Sequence, residues 1–166
     1  MTKSYKRKIE TTIKKLISKI VIFFLYKGFK VTYKHDASVK KEIDSLKNGF
    51  TAVIDTGEKG IKLIIQKQEN KLIRLKQAQN ADIVITFKSL DIAFRMFTGM
   101  LGVSRAYAEH RFTLKGEIAQ AMCLVRCIDI VEAYLFPKLI TKNILKYQPQ
   151  KAMGLLKTYM LVLFTN

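Results

Sequence analysis

ADIVITFKSLDIAFRMFTGMLGVSRAYAEHRFTLKGEIAQAMCLVRCIDIVEAYLFP, the run from Ala81 to Pro137, places a strand, an amphipathic helix, a second strand and a long helix one after another. Ala81 to Phe87 alternates in the strand period, with Ile83, Ile85 and Phe87 on one face. Ser89 stands where a helix N-cap belongs, and Leu90, Ala93, Phe94 and Phe97 then recur at helical spacing. Gly99 and Gly102 mark where that helix stops, and a short helical piece from Ser104 to Glu109 follows. Alternation returns in Arg111-Phe112-Thr113-Leu114-Lys115, and Gly116 turns the chain into a helix that runs to Phe136, where Pro137 ends or kinks it.

Working outward, Phe50 to Thr56 alternates, Gly57-Glu58-Lys59-Gly60 reads as a turn, and Ile61, Leu63 and Ile65 resume the alternation. Gln68-Glu69-Asn70 is a second tight connection, leading to a strand from Leu72 to Lys76. Connections this short favour antiparallel neighbours, so four strands in succession and a fifth after the helical excursion are expected. The fold class is α+β: a curved, mainly antiparallel five-stranded sheet covered by helices, with extra helices at both ends.

Ser4 to Tyr26 is a basic amphipathic helix, with Ile9, Ile13, Leu16, Ile17, Ile20 and Phe24 on one side and Lys6, Lys8, Lys14, Lys15 and Lys19 mostly elsewhere. Two readings fit it. Either the apolar side packs on the domain and the lysines face water, or the helix lies in a membrane interface with those lysines docking on anionic headgroups. Gly28 is expected to interrupt it, Phe29 to Lys34 to be irregular or extended, and a second helix to begin at Asp36 or Ser38 and end by Lys47. Beyond Pro137 a helical pattern covers Lys138 to Tyr147, and the apolar stretch from Ala152 to Phe164 must be buried against the domain, a partner or lipid. The chain divides into residues 1–49, 50–137 and 138–166.

The run Phe97-Thr98-Gly99-Met100-Leu101, its spacer, and Phe112-Thr113-Leu114-Lys115-Gly116-Glu117 followed by Ala119, Ala121 and Met122 resemble the sterol-carrier-protein type of lipid-binding domain. The strand from Ala81, with Asp82 near its start, fits the same pattern, and the likeness spans about residues 50 to 137. Two positions depart from it: His110 stands where the family often has glycine, and Glu117 replaces the more usual aspartate. The resemblance implies an apolar tunnel for a lipid between sheet and helices. By that likeness Phe94, Phe97, Met100, Leu101, Phe112, Leu114, Met122 and Val125 are the wall candidates. The terminal helix, with Met160 and Phe164, is the candidate lid. Small stand-alone bacterial members of that family include accessory factors that present an isoprenoid intermediate in quinone biosynthesis.

Composition bounds the rest. A chain of 166 residues with 49% apolar side chains builds one domain with a core, burying roughly 70% of the surface its unfolded form exposes. Its charge is +17, from 30 Lys and Arg against 13 Asp and Glu. Up to Phe50 there are thirteen basic and four acidic residues (+9), and seventeen and nine follow (+8). Such a balance attracts polyanions, of which an anionic membrane surface is the expected one. Nucleic acid is disfavoured, because no zinc-finger spacing or aromatic RNA-binding strand signature is present. Ile20 to Tyr26, the longest apolar run near the start, is far short of the roughly 20 residues that span a bilayer, and no cleavage site is evident, so a cytoplasmic protein with peripheral membrane contact is expected.

Catalysis has no residue set to recommend it. His35 and His110 are the only histidines, and neither sits in a nucleophile or zinc-binding context. Cys123 and Cys127, at i and i+4, read as buried small hydrophobes; no metal and no cofactor is expected. Asp129 and Glu132 share a helix face near Arg126, which reads as an ion-paired surface stripe, or as a carboxylate meeting a ligand's polar head. Phe94, Met96, Phe97, Met100, Leu101, Tyr107, Met122, Val125, Met153 and Met160 either fill a core or line a cavity for flexible chains. The function expected is non-enzymatic binding and transfer or presentation of a long apolar lipid. The alternative is an adaptor that docks its C-terminal helix on a protein partner.

Overall fold

The computed structural model describes residues 3–57, 60–98, 100–136 and 151–164, with side chains from residue 8 onward. Helix α1 (Lys3–His35) is 33 residues long and passes through Gly28 without a break. The expected interruption there, and the extended passage after it, are therefore corrected. A glycine inside a helix costs about 1 kcal/mol against alanine, and close packing explains why it is used here. A Cβ on Gly28 would stand 2.7 Å from Val131 Cγ1 and 3.0 Å from Leu135 Cδ1, so its absence lets α1 lie against the last long helix of the domain.

Asp36 closes α1 and opens α2 (Ala37–Asp44). Its Oδ1 accepts from the backbone N–H groups of Ser38 at 2.9 Å and Val39 at 3.1 Å, two donors that a helix start otherwise leaves unpaired. At the other end of α2 the buried Lys67 ammonium donates to the carbonyls of Leu46 at 2.6 Å and Asp44 at 3.1 Å, which neutralises the negative helix terminus.

Five strands follow: β1 (Thr51–Asp55), β2 (Lys62–Gln68), β3 (Lys71–Leu75), β4 (Ile83–Phe87) and β5 (Phe112–Lys115). They form an open sheet in the order β3-β2-β1-β4-β5. Three pairings are antiparallel, but β4 lies parallel to β1 instead of continuing beyond β3, which corrects the expected succession of antiparallel neighbours. The physical reason lies in residues 76–82, a connection long enough to return the chain to the free edge of β1. Asp82 fixes it there: its amide donates to Thr51 O at 2.9 Å, its Oδ2 accepts from Thr51 N–H at 2.9 Å, and Lys47 pairs with its Oδ1 at 2.5 Å.

Register places Ala52, Ile54, Leu63, Ile65, Leu72, Ile83, Ile85, Phe87, Phe112 and Leu114 on one face. Helices cover that face. α3 (Leu90–Phe97) is N-capped by Ser89 as expected, and α4 (Val103–Ala108) leads through His110 into β5. His110 has φ of 51°, the left-handed region that favours glycine. Gly116, with φ of 115°, turns β5 into α5 (Ile118–Leu135), and a Cβ on it would meet the Asp82 carbonyl oxygen at 2.1 Å. Only glycine fits between that turn and the start of β4.

The last described helix, α6 (Leu155–Phe164), lies against α1 and α5 and buries Thr158 and Val162. The Tyr134 hydroxyl ties these parts together, donating to Asp36 Oδ2 at 2.7 Å and accepting from Ala152 N–H at 2.5 Å. The helix expected over residues 138–147 lies outside the described residues. One buried cluster takes side chains from α1, α2, the sheet, α5 and α6.

Candidate functional site

The sheet and α5 do not close on one another. Between them lies an apolar cavity of about 400 Å³. Protein interiors leave few voids larger than a water molecule, and this volume is that of a small-molecule site. The sheet side is Ile54, Ile85, Phe87, Phe112 and Leu114. The helix side is Ile118, Ala121, Met122, Val125 and Ile128 of α5, and Met96, Phe97, Val103, Ser104 and Tyr107 of α3 and α4 supply further wall. Phe87 makes edge contacts with Phe97 and Phe112, with ring centres 5.7 and 5.9 Å apart, and Tyr107 stands 6.0 Å from Phe112. These rings hold the strand β5 side of the wall in shape.

A second chamber of about 220 Å³ is lined by Val21, Phe24, Leu135, Phe136 and Tyr159 together with Leu25, Phe97 and Glu132. Leu25, Phe97 and Glu132 line both spaces, so they form the partition between them. Tyr159 of α6 donates its hydroxyl to the Leu135 carbonyl, which holds α6 over the second chamber.

Of the expected wall residues, Phe97, Phe112, Leu114, Met122 and Val125 line the main cavity. Four do not. Phe94 packs half-buried beside α3's inward residues, Ala93 and Phe97, and Leu101 is buried in the core. Met100 is 62% exposed in the α3–α4 turn, and Met160 is 56% exposed because α6 turns Thr158 and Val162 inward instead. Phe164, a lid candidate, is 77% exposed. Two residues singled out as soft fillers, Met96 and Tyr107, do line the cavity. The missed residues of α5 had a signal: Ile118, Ala121, Ile128 and Glu132 recur with Val125 at helical spacing, a stripe that is apolar until its last member.

That last member is a carboxyl in an apolar place. Glu132 is 8% exposed, and its Oε2 is buried without a hydrogen-bond partner among the described residues. Burial pushes its pKa up to about 8, with the like charge of Asp129 adding to it. Asp129 is itself raised by burial. The expected ion-paired surface stripe is thereby corrected. Arg126 turns the other way and grips Glu42 of α2 with two hydrogen bonds of 2.7 Å.

Helix α1 has two apolar sides rather than one. Ser18, Ile22, Leu25 and Phe29 are buried against the domain. Ile9, Ile13, Leu16, Ile20 and Phe23, also at three- and four-residue spacing, lie about half a turn away and are 38 to 58% exposed. Of the two readings of this helix, the one that packs Ile9, Ile13, Leu16 and Ile20 on the domain is therefore corrected. Of the lysines, Lys8 and Lys19 are exposed and Lys15 is half-buried, whereas Lys14 is held by Glu10 at 2.7 Å and by Asp91 of α3 at 2.6 Å. The Lys6 side chain lies outside those described.

Among the described residues no cluster of His, Cys, Asp or Glu is placed to hold a metal ion, and no helix is long and apolar enough to cross a membrane. Cys123 and Cys127 are free thiols, and burial pushes the Cys127 thiol up to about 12.

No family model and no curated protein matches the chain. Among solved structures, sterol carrier protein 2 from Yarrowia lipolytica, in its apo form, superposes with a TM-score of 0.50 at 14% identity, over 69% of this chain and 91% of that one. This is the sterol-carrier-protein fold. A ubiquinone synthesis protein, UbiJ-SCP2, superposes with a TM-score of 0.47 at 15% identity, over 75% of this chain and 99% of that one. A palmitated SCP2L2 from Aedes aegypti gives 0.37 at 17% identity, over 60% and 91%. The long α1 and the terminal α6 pack on one another and on α5.

Proposed function

We propose that the protein binds one long, largely apolar lipid in the cavity under α5 and carries or presents it at anionic membrane surfaces, without catalysing a reaction. The observation that carries this reading is the 400 Å³ apolar cavity walled by Phe97, Phe112, Leu114, Met122 and Val125 in a sterol-carrier-protein fold. Each methylene moved there from water is worth about 0.8 kcal/mol, so an acyl or isoprenoid chain is held without a strong polar contact.

Docking falls to the outer side of α1. Ile9, Ile13, Leu16, Ile20 and Phe23 form an apolar stripe of interfacial width, and Lys8, Lys15 and Lys19 run along its flank. An excess of 17 positive charges on the chain raises the encounter rate with anionic bilayers. Leu25, which α1 sends inward, lines the cavity, so the docked helix and the ligand site share one element.

The measurement is flotation with phosphatidylglycerol vesicles together with transfer of a fluorescent fatty-acyl probe between them. Replacing Ile13, Leu16 and Ile20 by serine removes roughly 1 to 2 kcal/mol of insertion each, so vesicle affinity drops about a hundredfold or more, while probe affinity in solution is unchanged. Raising salt weakens wild-type docking through the lysines. Vesicle binding indifferent both to salt and to the three serines would defeat the docking model. An adaptor role has one observation in its favour, the exposure of Leu156, Met160, Leu163 and Phe164 on α6. It is favoured instead if the protein binds no acyl probe and self-associates through that helix.

A further inference from the structure

Resting on the cavity reading above, we propose that Glu132 is the anchor for the polar end of the ligand, which is an uncharged oxygen function (an alcohol, phenol or carbonyl) on a long apolar body. Three observations meet at this residue. It is buried, its Oε2 has no partner among the described residues, and it stands in the partition where both apolar chambers end. A native core normally pairs such a group, and leaving it unpaired costs stability unless something else occupies the place.

The chemistry of the surroundings selects the head group. A carboxyl that burial keeps protonated near neutral pH both donates and accepts a hydrogen bond, which suits a neutral oxygen. Among the described residues that line the two chambers, none brings a positive charge to it. Val21, Phe24 and Leu25 of α1 and Phe97 of α3 are apolar, Tyr159 of α6 is engaged with the Leu135 carbonyl, and Tyr107 of α4 is the other titratable wall group. Asp129, three residues earlier on α5, contributes only a like charge. A carboxylate head would lose its hydration with no cation among the described wall residues to meet it, and an ammonium head would lose its hydration beside a carboxyl that is still protonated.

Head-group preference is measured by calorimetric titration of the full-length protein with dodecanol, dodecanoate and dodecylammonium. At about pH 6.5 the wild type is expected to bind the alcohol roughly ten- to a hundredfold more tightly than either ion, the range of a buried hydrogen bond against an unpaired charge. Glu132→Gln keeps that preference and loses its decline above about pH 8, whereas Glu132→Leu narrows it about tenfold, because the alcohol loses its hydrogen bond while both ions still lose their hydration. Equal binding of the three heads by the wild type, or an alcohol preference in Glu132→Leu as large as in the wild type, overturns the anchor and leaves the cavity standing. Preference for dodecylammonium at the lower pH overturns it too. Failure of all three to bind overturns the anchor and the cavity together.

Discussion

Replacing Glu132 by leucine is expected to make the ligand-free protein more stable, by roughly 5 to 6 kcal/mol at about pH 9.5 and by only about 1 to 2 kcal/mol near pH 5. The folded carboxyl titrates at about 8, above its ordinary 4.5, because burial disfavours the charge. Between those values the folded state binds a proton that the unfolded state has released. The contribution is fully present below the unfolded pKa and is lost as pH rises through the folded one, so wild-type stability falls across that window, at about 1.36 kcal/mol for each step of one in pH. Leucine removes the titration and fills the same apolar surroundings. Urea denaturation across the pH range checks this: curves for the two proteins should converge in acid and separate in base. Parallel curves would mean that Glu132 is neither buried nor unpaired in the folded protein. A substitution that stabilises a protein while impairing its ligand preference is the mark of a residue kept for binding.

The second large effect is on affinity. Val125 faces the main cavity from the middle of α5, and the chain has no tryptophan, so Val125→Trp both occupies the ligand's space and supplies a reporter. The indole displaces roughly three or four methylenes of ligand, about 3 kcal/mol, so acyl-probe affinity should drop about a hundredfold. The unfolding midpoint should not fall, since the new ring buries apolar area in existing space instead of forcing a packed core apart. Blue-shifted emission shows the ring to be inside. Unchanged probe affinity with that emission would place the ligand elsewhere.

Much of the frame was legible along the chain. The alternation of Ile83, Ile85 and Phe87, the cap at Ser89 and the turn at Gly116 are local signals, and local geometry decides them. Which strand lies beside which is not local. The parallel pairing of β4 with β1 depends on Asp82 and Thr51, 31 residues apart, and no periodicity carries that. Gly28 was open to misreading for a related reason: a glycine reads as a helix stop unless one knows that Val131 and Leu135 crowd it from another helix. On α1, the buried series from Ser18 to Phe29 and the exposed series from Ile9 to Phe23 have the same spacing, so sequence cannot say which faces the core.

The site was legible on α5 and β5 and poorly so elsewhere. Met122, Val125, Phe112 and Leu114 lie on elements whose inward face the pattern fixes. Met100 sits in a turn and Met160 on the outer side of α6, orientations that neither softness nor family likeness carries. Glu132 is open in sequence to two readings, an ion-paired stripe with Arg126 or a carboxylate at a ligand's polar head, and the pairing of Arg126 with Glu42, some 84 residues away, removes the first.

The central claim is that the space under α5 holds a lipid, and native mass spectrometry of the freshly purified protein, followed by solvent extraction, addresses it most directly. We expect one apolar molecule per chain, ending in a hydroxyl, phenol or carbonyl, present in the wild type and missing from Val125→Trp. A protein that carries no lipid and takes up none from added vesicles would contradict the account.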